Sequence, residues 1–176
     1  MQDRSALRRE LARRLRSGRA KRRSEGFVQT HGKIRDVVMI SERLAEVEVR
    51  VVPGHWEGDL IIGANGRSAV GTQMEHSTRF DLLLYLGKDR SVLAVEDATR
   101  RAIATLPGEL VRSVTWDQGK EMAKHRSITV ATRVPIYFYE PSSPWQRGSN
   151  ENTNGLLRQY MPKGIDLSKH SVARTS

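Results

Sequence analysis

His55-Trp56-Glu57-Gly58-Asp59-Leu60-Ile61-Ile62-Gly63 is followed by Ala64-Asn65-Gly66-Arg67, then by Ser68 to Glu75 and by Arg79-Phe80-Asp81-Leu82-Leu83-Leu84-Tyr85-Leu86. The first segment reads as a strand. Asn65-Gly66 is a strong hairpin signal, because both residues tolerate positive φ. Ser68–Glu75 reads as the returning strand and Arg79–Leu86 as a third. Three strands joined by short turns predict an antiparallel meander.

Downstream of the meander the pattern alternates. A helix is expected over about Ser91–Leu106, with Val92, Val95, Ala98, Ala102 and Leu106 along one face and Pro107-Gly108 as its stop. Leu110–Trp116 reads as a strand, Lys120–His125 as a helical turn, and Val134–Tyr139 as another strand. Pro141 to Pro144 is a rigid loop, and Arg147–Tyr160 a polar helix stopped by Pro162 and Gly164. The order β-β-β-α-β-α-β-α predicts an α/β fold, a mixed sheet with helices on its faces.

Upstream, Leu7, Leu11 and Leu15 suggest a helix over residues 3–17, and residues 19–35 read as a basic linker. Residues 1–25 carry ten basic side chains against Asp3, Glu10 and Glu25, so +7 of the chain's +10 resides there. This front segment is either a solvated tail or an arm for phosphates. The 176 residues suit one domain plus an appendage. A pI near 10.5 points to a polyanionic partner, most simply nucleic acid. With no cysteine, disulfides, thiol catalysis and cysteine-based zinc sites are excluded. His55, His76 and His125 lack zinc-ligand spacing. No apolar run is long enough to cross a bilayer and no secretory signal is visible, so a cytoplasmic protein is expected.

Three acids stand where chemistry usually collects. Asp59 interrupts an apolar strand, where an unpaired charge is costly. Asp117 ends a strand, and strand ends gather ligands in α/β sheets. Glu151 opens the polar helix among Asn150, Asn152 and Asn154. Each alone also has a structural reading, as a turn, a cap or a helix-dipole partner. Glu57 shares the strand face of Asp59 and rivals it. Trp56 and Trp145 read as packing residues.

Arg147-Gly148-Ser149-Asn150-Glu151-Asn152-Thr153-Asn154-Gly155-Leu156-Leu157-Arg158-Gln159-Tyr160-Met161-Pro162-Lys163 closely resembles the signature of the insertion-sequence-thirty family of bacterial transposases. Gly54–Ile61 and Thr115–Met122 resemble the blocks that carry that family's first and second acids, and Pro144-Trp145-Gln146 leads into the third. The resemblance covers roughly residues 36–168. It implies an RNase H-like, retroviral-integrase-like core in which Asp59, Asp117 and Glu151 are the catalytic, metal-holding D-D-E triad. It implies Mg²⁺ or Mn²⁺, two ions, which suit oxygen ligands shared with a phosphate. The implied reaction is DNA strand cleavage followed by strand transfer, with element ends and target DNA as partners, a homo-oligomer when active and no membrane.

Arg147, Arg158 and Lys163 are candidates for holding DNA phosphates, with a solvated basic face as the alternative. Asn154 and its neighbouring asparagines are expected to bond DNA or the flanking loop. Lys120, with Glu121, either contacts DNA or caps the turn after Asp117. Compared with the family, Leu44 stands for a usual proline, Gln73-Met74-Glu75-His76 for Leu-Val-Glu-Arg, and Arg133 for a glycine that supplies positive φ. About fifty residues precede the core, where the family has a helix-turn-helix region, and few follow the signature. The expected organisation is a basic helical arm and linker over 1–35 and a C-terminally truncated catalytic core over 36–176. A catalytically dead fragment that only binds DNA is the alternative.

Overall fold

The computed structural model describes residues 34–43 and 52–169. The expected arm helix over residues 3–17, the linker up to residue 33 and Leu44 lie outside the described residues.

The meander forms as expected. Strand β2 (His55–Ile62) pairs antiparallel with β3 (Ala69–Glu75), and β3 with β4 (Asp81–Gly87). Asn65 and Gly66 both take positive φ, 52° and 67°, within the connection. The second turn is organised by Glu75, whose carboxylate accepts from the Gly54, Ser77 and Thr78 amides and from both hydroxyls. Burial pushes its carboxyl up, but these bonds outweigh burial and hold it down at about 2.

Helix α1 (Val92–Ala104) is capped by Ser91, whose Oγ accepts from the Ala94 amide at 3.2 Å. Strand β5 (Ser113–Trp116) pairs in parallel with β2 and with β6 (Ile136–Phe138). Between them, Lys120–Met122 makes only a 3₁₀ turn, and helix α2 (His125–Thr132) begins where the expected helical turn was to end. A strand absent from the sequence reading, β1 (Val38–Met39), pairs in parallel with β6. Helix α3 spans Gly148–Tyr160. The sheet order is β1-β6-β5-β2-β3-β4.

The register assigns the two sheet faces. Trp56, Gly58, Leu60 and Ile62 of β2 share a face with Val114 and Trp116 of β5 and with Ile136 and Phe138 of β6. This face forms the main apolar cluster with Val95, Ala98 and Ile103 of α1 and Ile128 of α2. Gly58 is required there, because a Cβ at that position would lie 1.7 Å from the Trp116 ring. His55, Glu57, Asp59 and Ile61 occupy the opposite face, with Thr72 and Met74 of β3 and Thr115 of β5. That face holds a small apolar cluster of Ile61, Val70, Met161 and Leu167. Beside it the face carries the polar groups of Glu57, Asp59, Thr72 and Thr115 together with the buried Met74, and α3 bonds across it.

Candidate active site

The parallel pairing of β2 and β5 brings two of the three candidate acids to one face. Asp59 lies in β2, and Asp117 follows the last residue of β5. Both are fixed in the same way. Asp59 Oδ1 accepts from the amide of Leu60 at 2.7 Å, and Asp117 Oδ1 accepts from the amide of Gln118 at 2.8 Å. Each aspartate therefore has one oxygen tied to its own main chain and one aimed elsewhere.

The second oxygens are met by α3 and the residue that opens it. Asn154 Nδ2 donates to Asp59 Oδ2 at 2.6 Å, and Arg147 Nη1 donates to Asp117 Oδ2 at 2.7 Å. Glu151 follows Arg147 by four residues and precedes Asn154 by three, so the helical period sets all three along one side. Glu151 is exposed in the first turn of α3. Among the described residues, no group of three or more His, Asp or Glu side chains is gathered to hold a metal ion.

Asp59 is electrostatically loaded. Burial raises its carboxyl to about 6; the Leu60 amide and Arg147 work against this, while Asp117 and Glu121 add to it. Lys120 and Glu121 sit on the 3₁₀ turn after Asp117, and the Glu121 charge adds to the load on Asp59.

The remaining candidates divide. Asn150 Nδ2 reaches the Gly58 carbonyl at 3.4 Å, and Thr153 Oγ1 the sulfur of Met74 at 3.0 Å, so α3 is registered on the sheet by polar contacts. Two of the three closely spaced asparagines, Asn150 and Asn154, thus face the protein. Arg158 Nη2 donates to the Ile62 carbonyl at 3.0 Å, joining the end of α3 to β2. Lys120 and Lys163 are exposed. Glu57, the rival of Asp59, is buried and accepts from His76 Nδ1 at 2.5 Å, which commits one of its oxygens. Burial first, then the charge of Glu57, pushes the Tyr139 hydroxyl well above its ordinary range. Trp56 packs as expected, its Nε1 donating to the Leu110 carbonyl. Trp145 corrects the packing expectation: 76% of it is exposed. Its 3₁₀ turn, Pro144–Arg147, directs Arg147 inward to Asp117 and leaves the indole outside.

No helix among the described residues is long and apolar enough to cross a membrane. No family model matches the chain. The transposase for insertion sequence element IS1086 of Cupriavidus metallidurans is 48% identical over 96% of this chain and 50% of its own length. Transposase InsI for element IS30C of Escherichia coli K12 is 45% identical over 75% of this chain and 34% of its own. The transposase for element IS4351 of Bacteroides fragilis is 39% identical over 75% and 40%. Among solved structures, a chain of the simian T-cell lymphotropic virus intasome in complex with PP2A regulatory subunit B56 gamma superposes with a TM-score of 0.53 at 18% identity. That match covers 62% of this chain and 40% of the other, and it identifies the fold as RNase H-like. This chain spans between a third and a half of the length of these curated relatives. By its sequence, it belongs to the IS30 family of insertion-sequence transposases.

Proposed function

We propose that this chain carries the catalytic core of a transposase, which cleaves DNA at the ends of an insertion sequence and joins those ends to target DNA. The carrying observation is the matched pair of aspartates, each pinned by its own main chain and each covered by a donor that flanks Glu151. The donor chemistry fits a hard divalent cation, since carboxylate oxygens are its preferred ligands. The repulsion of Asp59 by Asp117 is the kind of cost a cation removes. Asp59, Asp117 and Glu151 are the residues that would hold Mg²⁺ or Mn²⁺, two ions by family resemblance. Bound there, the metal supplies charge to the oxygens that attack and leave at phosphorus.

The chain's own residues do the rest. The Leu60 and Gln118 amides orient the aspartates. Arg147 and Asn154 occupy the free carboxylate oxygens until DNA arrives, and Arg147 then has a phosphate to turn to. Lys120 and Lys163 give further phosphate contacts, while Arg158 holds α3 to β2. In the first step water attacks a phosphodiester and frees a 3′-hydroxyl. In the second that hydroxyl attacks the target, so one phosphoester bond forms as another breaks. DNA ends and target are the partners, a homo-oligomer is the working form and the cytoplasm the location.

The test is nicking of supercoiled plasmid in Mg²⁺ or Mn²⁺, wild type beside Asp117→Ala. The expected result is nicking that depends on both the metal and Asp117. Nicking that persists in Asp117→Ala would remove the assignment. The second reading is a fragment that binds DNA without cutting it. It is favoured by the absence of a gathered three-acid group among the described residues. It predicts a salt-sensitive gel shift that survives chelator, with no nicking under any metal.

A further inference from the structure

A second cleft opens on the site's face of the sheet. It holds about 580 Å³ between the start of α3 and strands β2 and β4. Glu57, His76, Asp81, Trp145, Asn152 and Leu156 help line it, and neither Asp59 nor Asp117 does.

Its walls are mismatched to bulk water. Trp145 exposes 76% of its surface, a large flat apolar area at the lip. Asp81 Oδ1 is buried with no hydrogen-bond partner among the described residues, and an orphaned acceptor is costly until a donor meets it. Glu57 accepts from His76 Nδ1, leaving Nε2 as the ring's remaining polar atom. Asn152 adds an amide that both donates and accepts.

We propose that this cleft takes a single unpaired DNA base, stacked on Trp145 and giving an exocyclic amino group to Asp81. The inference rests on the transposase reading above. A flat π surface in the same cleft as a half-buried carboxylate matches the chemistry of an amino-bearing base: aromatic faces stack on any base, and carboxylates accept from amino groups such as cytosine N4. A base within a duplex cannot offer its face, so the ligand is one taken out of the stack. The position fits as well. Trp145 belongs to the same turn that delivers Arg147 to Asp117. A base held on Trp145 therefore belongs to a nucleotide close to the phosphate at the aspartates.

The experiment compares binding of the whole chain to two duplexes at one salt concentration, identical except for a single unpaired cytosine in one. Wild type is expected to prefer the unpaired cytosine by on the order of tenfold, the scale of one base–aromatic stack. Trp145→Ala should shrink that preference below about twofold and leave affinity for the paired duplex unchanged, and Trp145→Phe should keep part of it. The unchanged affinity for the paired duplex shows that the exposed substitution has not unfolded the protein. Replacing the unpaired cytosine by thymine should weaken wild type but not Asp81→Ala. Equal wild-type affinity for the two duplexes, or a preference that survives Trp145→Ala, overturns the cleft assignment and leaves the transposase reading standing. Failure of wild type to bind either duplex overturns both.

Discussion

On one face of the sheet, Val114, Trp116, Ile136 and Phe138 pack against α1 and α2; on the other, Asp59, Thr72, Thr115 and Tyr139 lie on the side bonded by α3. The first face is closed by shape. Gly58 is hollowed out for the Trp116 ring, and the large side chains there are nearly all buried. The second is closed by hydrogen bonds, several of them at the long end of the range, such as Asn150 to Gly58 at 3.4 Å. Stability comes from apolar area and close packing, whereas a partly satisfied polar layer contributes little and carries desolvation costs. The fold therefore rests on the α1–α2 face, which leaves the α3 face free to carry charge.

The sharpest way to break this contrast is Trp116→Ala. Trp116 is fully buried, so its truncation should lower unfolding free energy by about 3–5 kcal/mol. Denaturant titration followed by circular dichroism measures the loss. Gly58→Ala should be strongly destabilising in wild type and much milder in the Trp116→Ala background, since the ring that meets its Cβ is gone. A loss of less than about 1 kcal/mol for Trp116→Ala would mean that the apolar face is not the foundation described here.

On the polar face the expected sign reverses. Asp59 is raised from 3.8 to about 6, by burial first and by Asp117 and Glu121 in addition. A carboxyl with a raised folded pKa binds its proton more tightly folded than unfolded. Its contribution favours folding at low pH and is lost as pH rises from about 4 through about 6. The gap corresponds to on the order of 3 kcal/mol at neutral pH. Asp59→Asn should therefore be more stable than wild type at pH 7–8, by roughly 1–3 kcal/mol, with the advantage vanishing near pH 4. Thermal melts across that range decide it, and a variant that follows the wild-type pH profile refutes the claim. A stabilising loss of a proposed catalytic group would place the cost of function on the α3 face.

The two faces were also unequally legible. The meander and α1 follow from local patterns: alternation, Asn65-Gly66, a Ser91 cap and an apolar stripe. Asp59 and Asp117 stood out because a charge within or ending an apolar strand needs a reason. What escaped was non-local. Strand β1 is two residues long and pairs with β6 far along the chain, so no local pattern marks it. Helix α2 buries only His125 and Ile128, too few for a stripe. The contact between Asn154 and Asp59 joins residues 95 positions apart, and its register depends on how α3 docks. Trp145 defies its residue type, which favours burial, because the turn that aims Arg147 inward turns the indole outward.

A smaller effect tests whether the apolar face carries strain of its own. Arg133 ends α2 at φ 61°, and its amide donates to the Thr129 carbonyl at 2.8 Å. That left-handed position favours glycine, the residue usual there in the family, because a Cβ crowds the neighbouring carbonyl. Arg133→Gly should gain about 1 kcal/mol, read as a rise in Tm with unchanged denaturant slope. A neutral or negative result would show that the freedom glycine brings to the unfolded chain offsets the strain it relieves. A gain would instead mark Arg133 as local strain in an otherwise well-packed layer, unrelated to the charge that burdens the α3 side.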